Sequence, residues 1–234
     1  MFGTTKFMND SSHYIDSPSL LSLESLEFTI KHRPFKRVFD IGFSLTVLFF
    51  MAPLMGLIAL IVKISSKGDI VYAHERLGRG GKPFKCYKFR TMYQDAETRL
   101  KDILASNPEL KKEWDLNHKL KNDPRVTPVG RLLRKTSLDE FPQFWNVLKG
   151  DLSVVGPRPV VRYEIIHHYG PHAAKILSIR PGLTGLWQVS GRSDTSYAYR
   201  IKLDEQYIAS QSFLLDLKLI LKTISCIFFP HGAY

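Results

Sequence analysis

The chain has 234 residues and carries 33 Lys and Arg against 22 Asp and Glu, a formal charge of +11. That length suits one domain with short attachments, and the charge asks for an anionic partner: nucleic acid, an acidic membrane or phosphorylated small molecules. Two distant cysteines, Cys86 and Cys226, offer neither a disulfide framework nor a structural zinc site, in keeping with a reducing cytosol.

Residues 1–33 read as an N-terminal leader. They hold Asn9-Asp10-Ser11-Ser12 and Ser17-Pro18-Ser19, then a Leu/Ser/Glu stretch. No basic segment leads into an apolar one, so a secretory signal is not indicated. Disorder is expected as far as Tyr14, with a short amphipathic helix over 20–30.

Residues 41–62 contain no charge: IGFSLTVLFFMAPLMGLIALIV. That is long enough to cross a hydrocarbon core as a helix. The alternative is a buried core helix, but soluble helices are rarely apolar on every face over such a length. Pro53 lies at the middle, where it removes a backbone hydrogen bond and bends the helix. Both flanks are basic: Lys31, Arg33, Lys36 and Arg37 precede the segment, and Lys63 and Lys67 follow it. Positive residues favour the cytoplasmic side. A straight span would put one basic flank outside, whereas a helix broken at Pro53 that enters and returns satisfies both. The expectation is therefore re-entrant, with Asp40 at the water boundary paired to Arg37 or Lys36.

Next, Ile70-Val71-Tyr72 and Phe84 to Phe89 flank Gly78-Arg79-Gly80-Gly81-Lys82, which predicts a hairpin. The glycine-rich turn is read as a turn, not a Walker-type phosphate loop. Helical patterns follow over 96–104, 109–120, 129–133 and 138–148, with Asn122-Asp123-Pro124 as a break. With no repeats and no βαβ alternation, the class is α+β, mostly α.

Thr136-Ser137-Leu138-Asp139-Glu140 reads as a helix start, and Ser137 with Glu140 matches a capping box. Glu140 either caps the helix or belongs to a reactive pair. Arg131, Arg134 and Lys135 lie just before it. A carboxylate at a helix N-terminus among cations is expected to keep a low pKa and stay ionised. Ionised, it can attack phosphorus or hold Mg²⁺.

In Gly156-Pro157-Arg158-Pro159, Pro157 and Pro159 stiffen a loop that presents one guanidinium, a planar fork for phosphate. The alternative is a rigid turn whose Arg158 pairs with a carboxylate. The run from Arg180 to Arg192 holds glycines that let a backbone approach a ligand closely. Arg180, Gln188 and Arg192 are its candidate contacts. Trp187 either stacks on a base, sits at the membrane interface or fills the core. Residues 212–229 are apolar but interrupted by Asp216, Lys218 and Lys222, which suits an interfacial helix or one packed on the domain. The histidines show no metal-ligand spacing.

These motifs resemble one family. Lys36-Arg37-Val38-Phe39-Asp40, Glu75-Arg76-Leu77-Gly78, Lys88-Phe89-Arg90-Thr91-Met92, Asp123-Pro124-Arg125-Val126-Thr127, Leu133 to Glu140, Gly156-Pro157-Arg158-Pro159 and Arg180 to Gly185 resemble the bacterial sugar transferases, monotopic polyprenyl-phosphate phosphoglycosyl transferases. The likeness runs from Pro34 to the C-terminus. Finer features, such as Gly185 to Arg192, look like the undecaprenyl-phosphate galactose phosphotransferase subgroup. Larger members of that subgroup carry further N-terminal helices and a soluble domain.

The resemblance implies a re-entrant helix over 34–66 and a small cytosolic catalytic domain over 67–234 with amphipathic interfacial helices. It implies transfer of sugar-1-phosphate from a UDP-sugar, UDP-galactose or UDP-glucose, to undecaprenyl phosphate, with release of UMP. Mg²⁺ is the implied cofactor and a homodimer the implied assembly. Asp139 would attack the sugar-bearing phosphate. Glu140 would share the Mg²⁺ or activate the acceptor. Arg158 would bind phosphate or uridine, with Lys88, Arg90 and Arg134 as further anion binders. The implied place is the cytoplasmic face of the bacterial inner membrane, at the first membrane step of exopolysaccharide, capsule or O-antigen synthesis. Competing readings are a nucleotide-sugar glycosyltransferase releasing UDP and a membrane-anchored anion-binding scaffold. A nucleic-acid binder is disfavoured, because the basic residues are scattered among Gly and Pro loops without a recognised motif.

Overall fold

The computed structural model describes residues 27–30, 33–117, 120–191 and 196–228. The expectations for residues 1–26, and the one for Arg192, fall outside these. Residues 27–30 take no regular structure.

Helix α1 (Pro34–Ser65) is one helical element of 32 residues with Pro53 inside it. Pro34 opens it at the position where a missing amide costs nothing. Its middle is exposed: Phe49 is 76% and Phe50 67% accessible, beside Leu45, Leu54, Leu57 and Leu60. Such a surface is unstable in water and stable in lipid, and α1 is long and apolar enough to cross a membrane. Both ends of α1 instead grip the globular body. Near its start, the Arg37 guanidinium donates to the carbonyls of Val147 (2.5 Å) and Leu148 (2.8 Å), and Asp40 accepts from the Val154 amide (3.1 Å). Lys36, not Arg37, lies near Asp40, at 4.0 Å, and it also bonds Asp216 at 2.6 Å. Near the far end, Ile58 and Val62 pack on Phe89 and Leu133.

The predicted hairpin is present. Strands β1 (Val71–Leu77) and β2 (Pro83–Phe89) pair antiparallel, with His74 opposite Cys86 and Tyr72 opposite Lys88. Its turn holds Gly80 and Gly81 at φ 70°, a region that penalises any side chain. The turn docks on the body, the Gly80 amide donating to the Leu177 carbonyl at 2.7 Å. Helices α2 (Ala96–Ser106), α3 (Pro108–Asn117) and α4 (Pro128–Thr136) follow, close to their predicted places. Thr127 caps α4, accepting from the Gly130 amide.

The region after α4 differs from the expectation. Instead of one helix over 138–148 there is a 3₁₀ turn, Leu138–Glu140, and then a separate helix α5 (Gln143–Lys149). Pro142 lacks an amide and separates them. The rest of the body is α6 (Arg162–Glu164), which runs through a π-helical turn (Ile165–Tyr169) and a 3₁₀ turn (Gly170–His172) to α7 (Ala173–Ile176), and the longer α8 (Tyr197–Ser210) and α9 (Phe213–Phe228). Strands β3 (Ser153–Val155) and β4 (Gly182–Thr184) pair in parallel around that crossover. Three-residue strands are too short to leave a period in the sequence, so nothing in it announces this sheet. The pair sits inside the main core with Val147, Leu152, Val160, Ile165, Tyr207 and Leu219. α9 packs on the domain through the buried Leu219 and Ile220 and leaves Phe213, Leu214, Leu221 and Ile224 exposed.

Asp204 on α8 is 1% exposed, and among the described residues neither of its carboxylate oxygens has a hydrogen-bond partner. Burial pushes its pKa up to about 7, against the pull of Arg200 and Arg158. The unfolded chain binds fewer protons at this group between its ordinary value of 3.8 and 7. Stability at Asp204 is therefore full below pH 3.8 and falls as pH rises through about 7. The loss is on the order of 4 kcal/mol at most. Thermal unfolding from pH 5 to pH 8 should show a downward slope that Asp204→Asn flattens; an identical slope in the variant would rule out Asp204 as its source.

Candidate active site

The 3₁₀ turn carries the Asp139–Glu140 pair. It starts from Ser137, whose φ of 58° and ψ of 16° put a non-glycine residue in the left-handed region. The expected capping box is absent: Ser137 makes no side-chain cap bond and instead closes α4. Glu140 turns to the hairpin, where the Lys88 ammonium donates to its Oε1 at 2.6 Å. Asp139 is 7% exposed.

The expected low pKa of Asp139 is also corrected. Burial raises it to about 6; Lys88 and Arg134 pull it down, and Glu140 pushes it further up. The desolvation of a carboxyl inside the body outweighs the two cations. The adjacent negative charge works in the same direction as burial. A buried, reluctantly ionised carboxylate is less hydrated than one in water, and hence more reactive toward an electrophile once charged.

Among the anion binders read from the sequence, Lys88 and Arg134 join this pair. The Arg134 Nε donates to Thr91 Oγ1 at 2.9 Å, and its charge is felt at Asp139. Arg90 is committed elsewhere. Its Nη2 donates to the carbonyls of Val62 (3.1 Å) and Ser66 (2.7 Å), holding the C-terminal end of α1. Arg180 is apart too, its Nε donating to the Gly150 carbonyl at 2.8 Å, at the opposite end of α5 from the pair. Gln188 lies half-buried against Gly185.

Arg158 stands in a second cluster that the sequence did not announce. Glu164 is its centre, accepting from Arg158 Nη1 (3.2 Å), Arg200 Nη1 (3.1 Å), the Tyr197 hydroxyl (3.2 Å) and the Val161 amide (3.0 Å), with Arg76 at 3.7 Å. Burial alone would raise the Glu164 pKa, but these partners hold it below the usual range. Arg158 thus does pair with a carboxylate, yet the cluster keeps a surplus of positive charge. Trp187 is buried, with the Arg200 guanidinium 4.1 Å above its ring, so it is neither a free base-stacking platform nor a membrane-interface anchor. Pro157 is fully buried and fixes the base of the loop, while Pro159 stays half-buried beside Arg158.

The hairpin joins the two clusters. Lys88 on β2 reaches Glu140, and Arg76 on β1 reaches Glu164. His74 lies on the same strand face as Arg76 by the two-residue repeat. Burial lowers the His74 pKa to about 4, with Arg76, Lys88 and Arg158 adding to the effect, so the ring is neutral at physiological pH. Arg76 could have been suspected from its alternation with His74; Glu164 and Arg200 left no local signal. The arrangement brings together a buried carboxyl and a second carboxylate beside Lys88 and Arg134, and across the hairpin a group of guanidinia around Glu164.

The family model for bacterial sugar transferases matches residues 31–230. The exopolysaccharide production protein ExoY of Rhizobium meliloti is 47% identical over 199 residues, 85% of this chain and 88% of that protein. The undecaprenyl-phosphate galactose phosphotransferase of Salmonella typhimurium is 46% identical over 200 residues, 85% of this chain and 41% of the relative. The UDP-glucose:undecaprenyl-phosphate glucose-1-phosphate transferase of Klebsiella pneumoniae is 40% identical over 211 residues, 86% of this chain and 41% of the relative. The chain therefore spans nearly all of the first and under half of the other two.

Proposed function

The chain belongs to the bacterial sugar transferase family, and from that membership we propose that it moves sugar-1-phosphate from a UDP-sugar to undecaprenyl phosphate. The observation that carries this reading is the buried Asp139 beside Glu140, Lys88 and Arg134 on a body gripped by an apolar helix. A carboxylate so placed serves attack on phosphorus, and phosphoryl transfer otherwise needs positioning and charge neutralisation. The names of the Salmonella and Klebsiella relatives favour galactose or glucose as the sugar.

Asp139 Oδ bonds to the sugar-bearing phosphorus as the bond from that phosphorus to the bridging oxygen breaks. UMP leaves with the electron pair. An oxygen of the lipid phosphate then bonds to the same phosphorus, and the acyl-phosphate bond breaks. The carboxylate is regenerated and a polyprenyl-diphosphate sugar departs. Arg158, with Arg76 and Arg200 behind it, holds phosphate or uridine. Glu140 and Asp139 are a donor set that fits Mg²⁺, which takes one or two carboxylates and completes its shell with phosphate and water. When bound, the ion would neutralise charge on the diphosphate.

The re-entrant path of α1 has physical support. A straight helix of this length extends about 48 Å. Yet the Arg37 end and the Val62 end both bond the same globular body. A chain that enters at residue 34, turns near Pro53 and leaves by residue 66 keeps both contacts and both basic flanks on the cytoplasmic face. Residues 67–234 then form the catalytic domain on that face, with α9 in the interface.

The test is product identity. The full chain, undecaprenyl phosphate, Mg²⁺ and a panel of UDP-sugars should yield UMP, and the sugar that gives UMP names the donor. Release of UDP would replace this reading by direct glycosyl transfer.

A further inference from the structure

A third group of cations gathers where α1 begins, at the other end of α5 from Asp139. Arg33, Lys36, Arg37, Arg79 and Arg180 line one cavity in which, among the described residues, Asp40 is the one acid. Lys36 is neutralised by Asp216 and Asp40. The guanidinia are not. Arg37 and Arg180 donate to main-chain carbonyls at the C-terminal end of α5, and Arg33 to the Gln211 carbonyl at 3.3 Å. Those bonds satisfy N–H groups but supply only partial negative charge. Arg79 makes no side-chain hydrogen bond or ion pair among the described residues. Arg37 Nη2 and Arg180 Nε lie 3.4 and 3.9 Å from the point where a Cβ on Gly150 would sit, so the two guanidinia meet there. Burial lowers the Arg180 pKa, and Arg79 and Arg37 lower it further, the mark of like charges held together.

The cavity borders an exposed apolar face. Phe35 is 90% and Val38 70% accessible on α1; Phe213 is 61% and Leu214 62% accessible on α9. Phe39 meets Phe213 edge-on, with ring centroids 5.2 Å apart, joining the two helices beside the cations. Convergent guanidinia match the non-bridging oxygens of a phosphate, and an adjoining apolar face matches what is attached to a lipid phosphate.

We propose that this cavity binds the phosphate of an anionic phospholipid headgroup, whose chains lie against the neighbouring apolar face. The lipid would neutralise the Arg37–Arg79–Arg180 group and set the depth and tilt of the body at the membrane surface. The proposal concerns binding alone and does not depend on the transfer reaction.

The test follows thermal unfolding of the full chain in a nonionic detergent. Dioctanoyl phosphatidylglycerol is the anionic probe, dioctanoyl phosphatidylcholine the control with the same chains, and inorganic phosphate the soluble anion. Phosphatidylglycerol should raise Tm saturably, and neither of the others should do so at equal concentration. Arg79→Gln should unfold like wild type without lipid but need about tenfold more phosphatidylglycerol for half-saturation, the effect of losing one charge-assisted contact. Arg79→Lys, which keeps the charge, should recover most of it. Equal shifts with phosphatidylcholine, or an unchanged response in Arg79→Gln, would overturn the site. An equal shift with inorganic phosphate would overturn the lipid assignment and leave a soluble-phosphate site.

Discussion

Asp139→Asn is expected to lower UMP release by at least about 10³-fold, because an amide oxygen is a far weaker nucleophile than a carboxylate. The substitution keeps size and shape. The turn around it rests on main-chain bonds, Glu140 N to Ser137 O at 3.2 Å and Phe141 N to Leu138 O at 3.4 Å, which the variant retains. It also removes a buried ionisable group whose ionisation opposes folding at neutral pH, since burial raises its pKa to about 6. The variant should therefore be inactive without any drop in thermal stability, and that pairing separates lost chemistry from lost fold. Wild type given labelled UDP-sugar and no lipid acceptor should retain label on the protein; the Asn variant should not. A variant that turns over at the wild-type rate would end the covalent reading even if UMP were the product.

The second large effect is on folding. Gly182→Ala should destabilise the protein by about 3 kcal/mol or more, read from the denaturant midpoint. A Cβ on Gly182 would stand 2.1 Å from the Gly156 amide nitrogen, 2.5 Å from the Thr184 carbonyl oxygen and 2.7 Å from the Gly156 Cα. All three obstacles are main chain, so no side chain can rotate away. The pair is held by Gly182 N to Pro157 O at 2.7 Å and Gly156 N to Thr184 O at 2.8 Å. The segment pushed aside leads directly into Pro157 and Arg158, so any folded fraction should bind the UDP-sugar more weakly. Gly42→Ala is the control: a Cβ there meets nothing within 4 Å, and Ala favours the helix. A Gly182→Ala midpoint equal to that of Gly42→Ala would show that the two strands can part without cost.

Much of this could be read from the chain alone. The uncharged run of residues 41–62, the glycine-rich turn between β-rich segments, and the Asp139–Glu140 and Pro157–Arg158–Pro159 motifs are local features. Periodicity, turn chemistry and covalent neighbourhood carry their meaning within a few residues, and the structure places α1 and the hairpin where those signals put them. The motifs are also specific enough to indicate the family whose model matches the chain.

What depended on distant residues was not legible. Whether Asp139 is charged is set by the body that buries it, not by Arg134 and Lys135 beside it in the chain. Glu140 has the spacing of a helix cap, but Lys88 approaches from a hairpin 52 residues away and takes it. Arg90 looks like a phosphate binder in isolation and is committed to carbonyls at the end of α1, and Arg180 bonds the Gly150 carbonyl at the far end of α5 from the Asp139 pair. Glu164, which gathers three arginines, has no motif at all. Sequence by itself determined which chemical groups are available and which segments are helical or apolar. Tertiary structure decided their partners and their charge, because desolvation and ion pairing are sums over neighbours that only folding brings together.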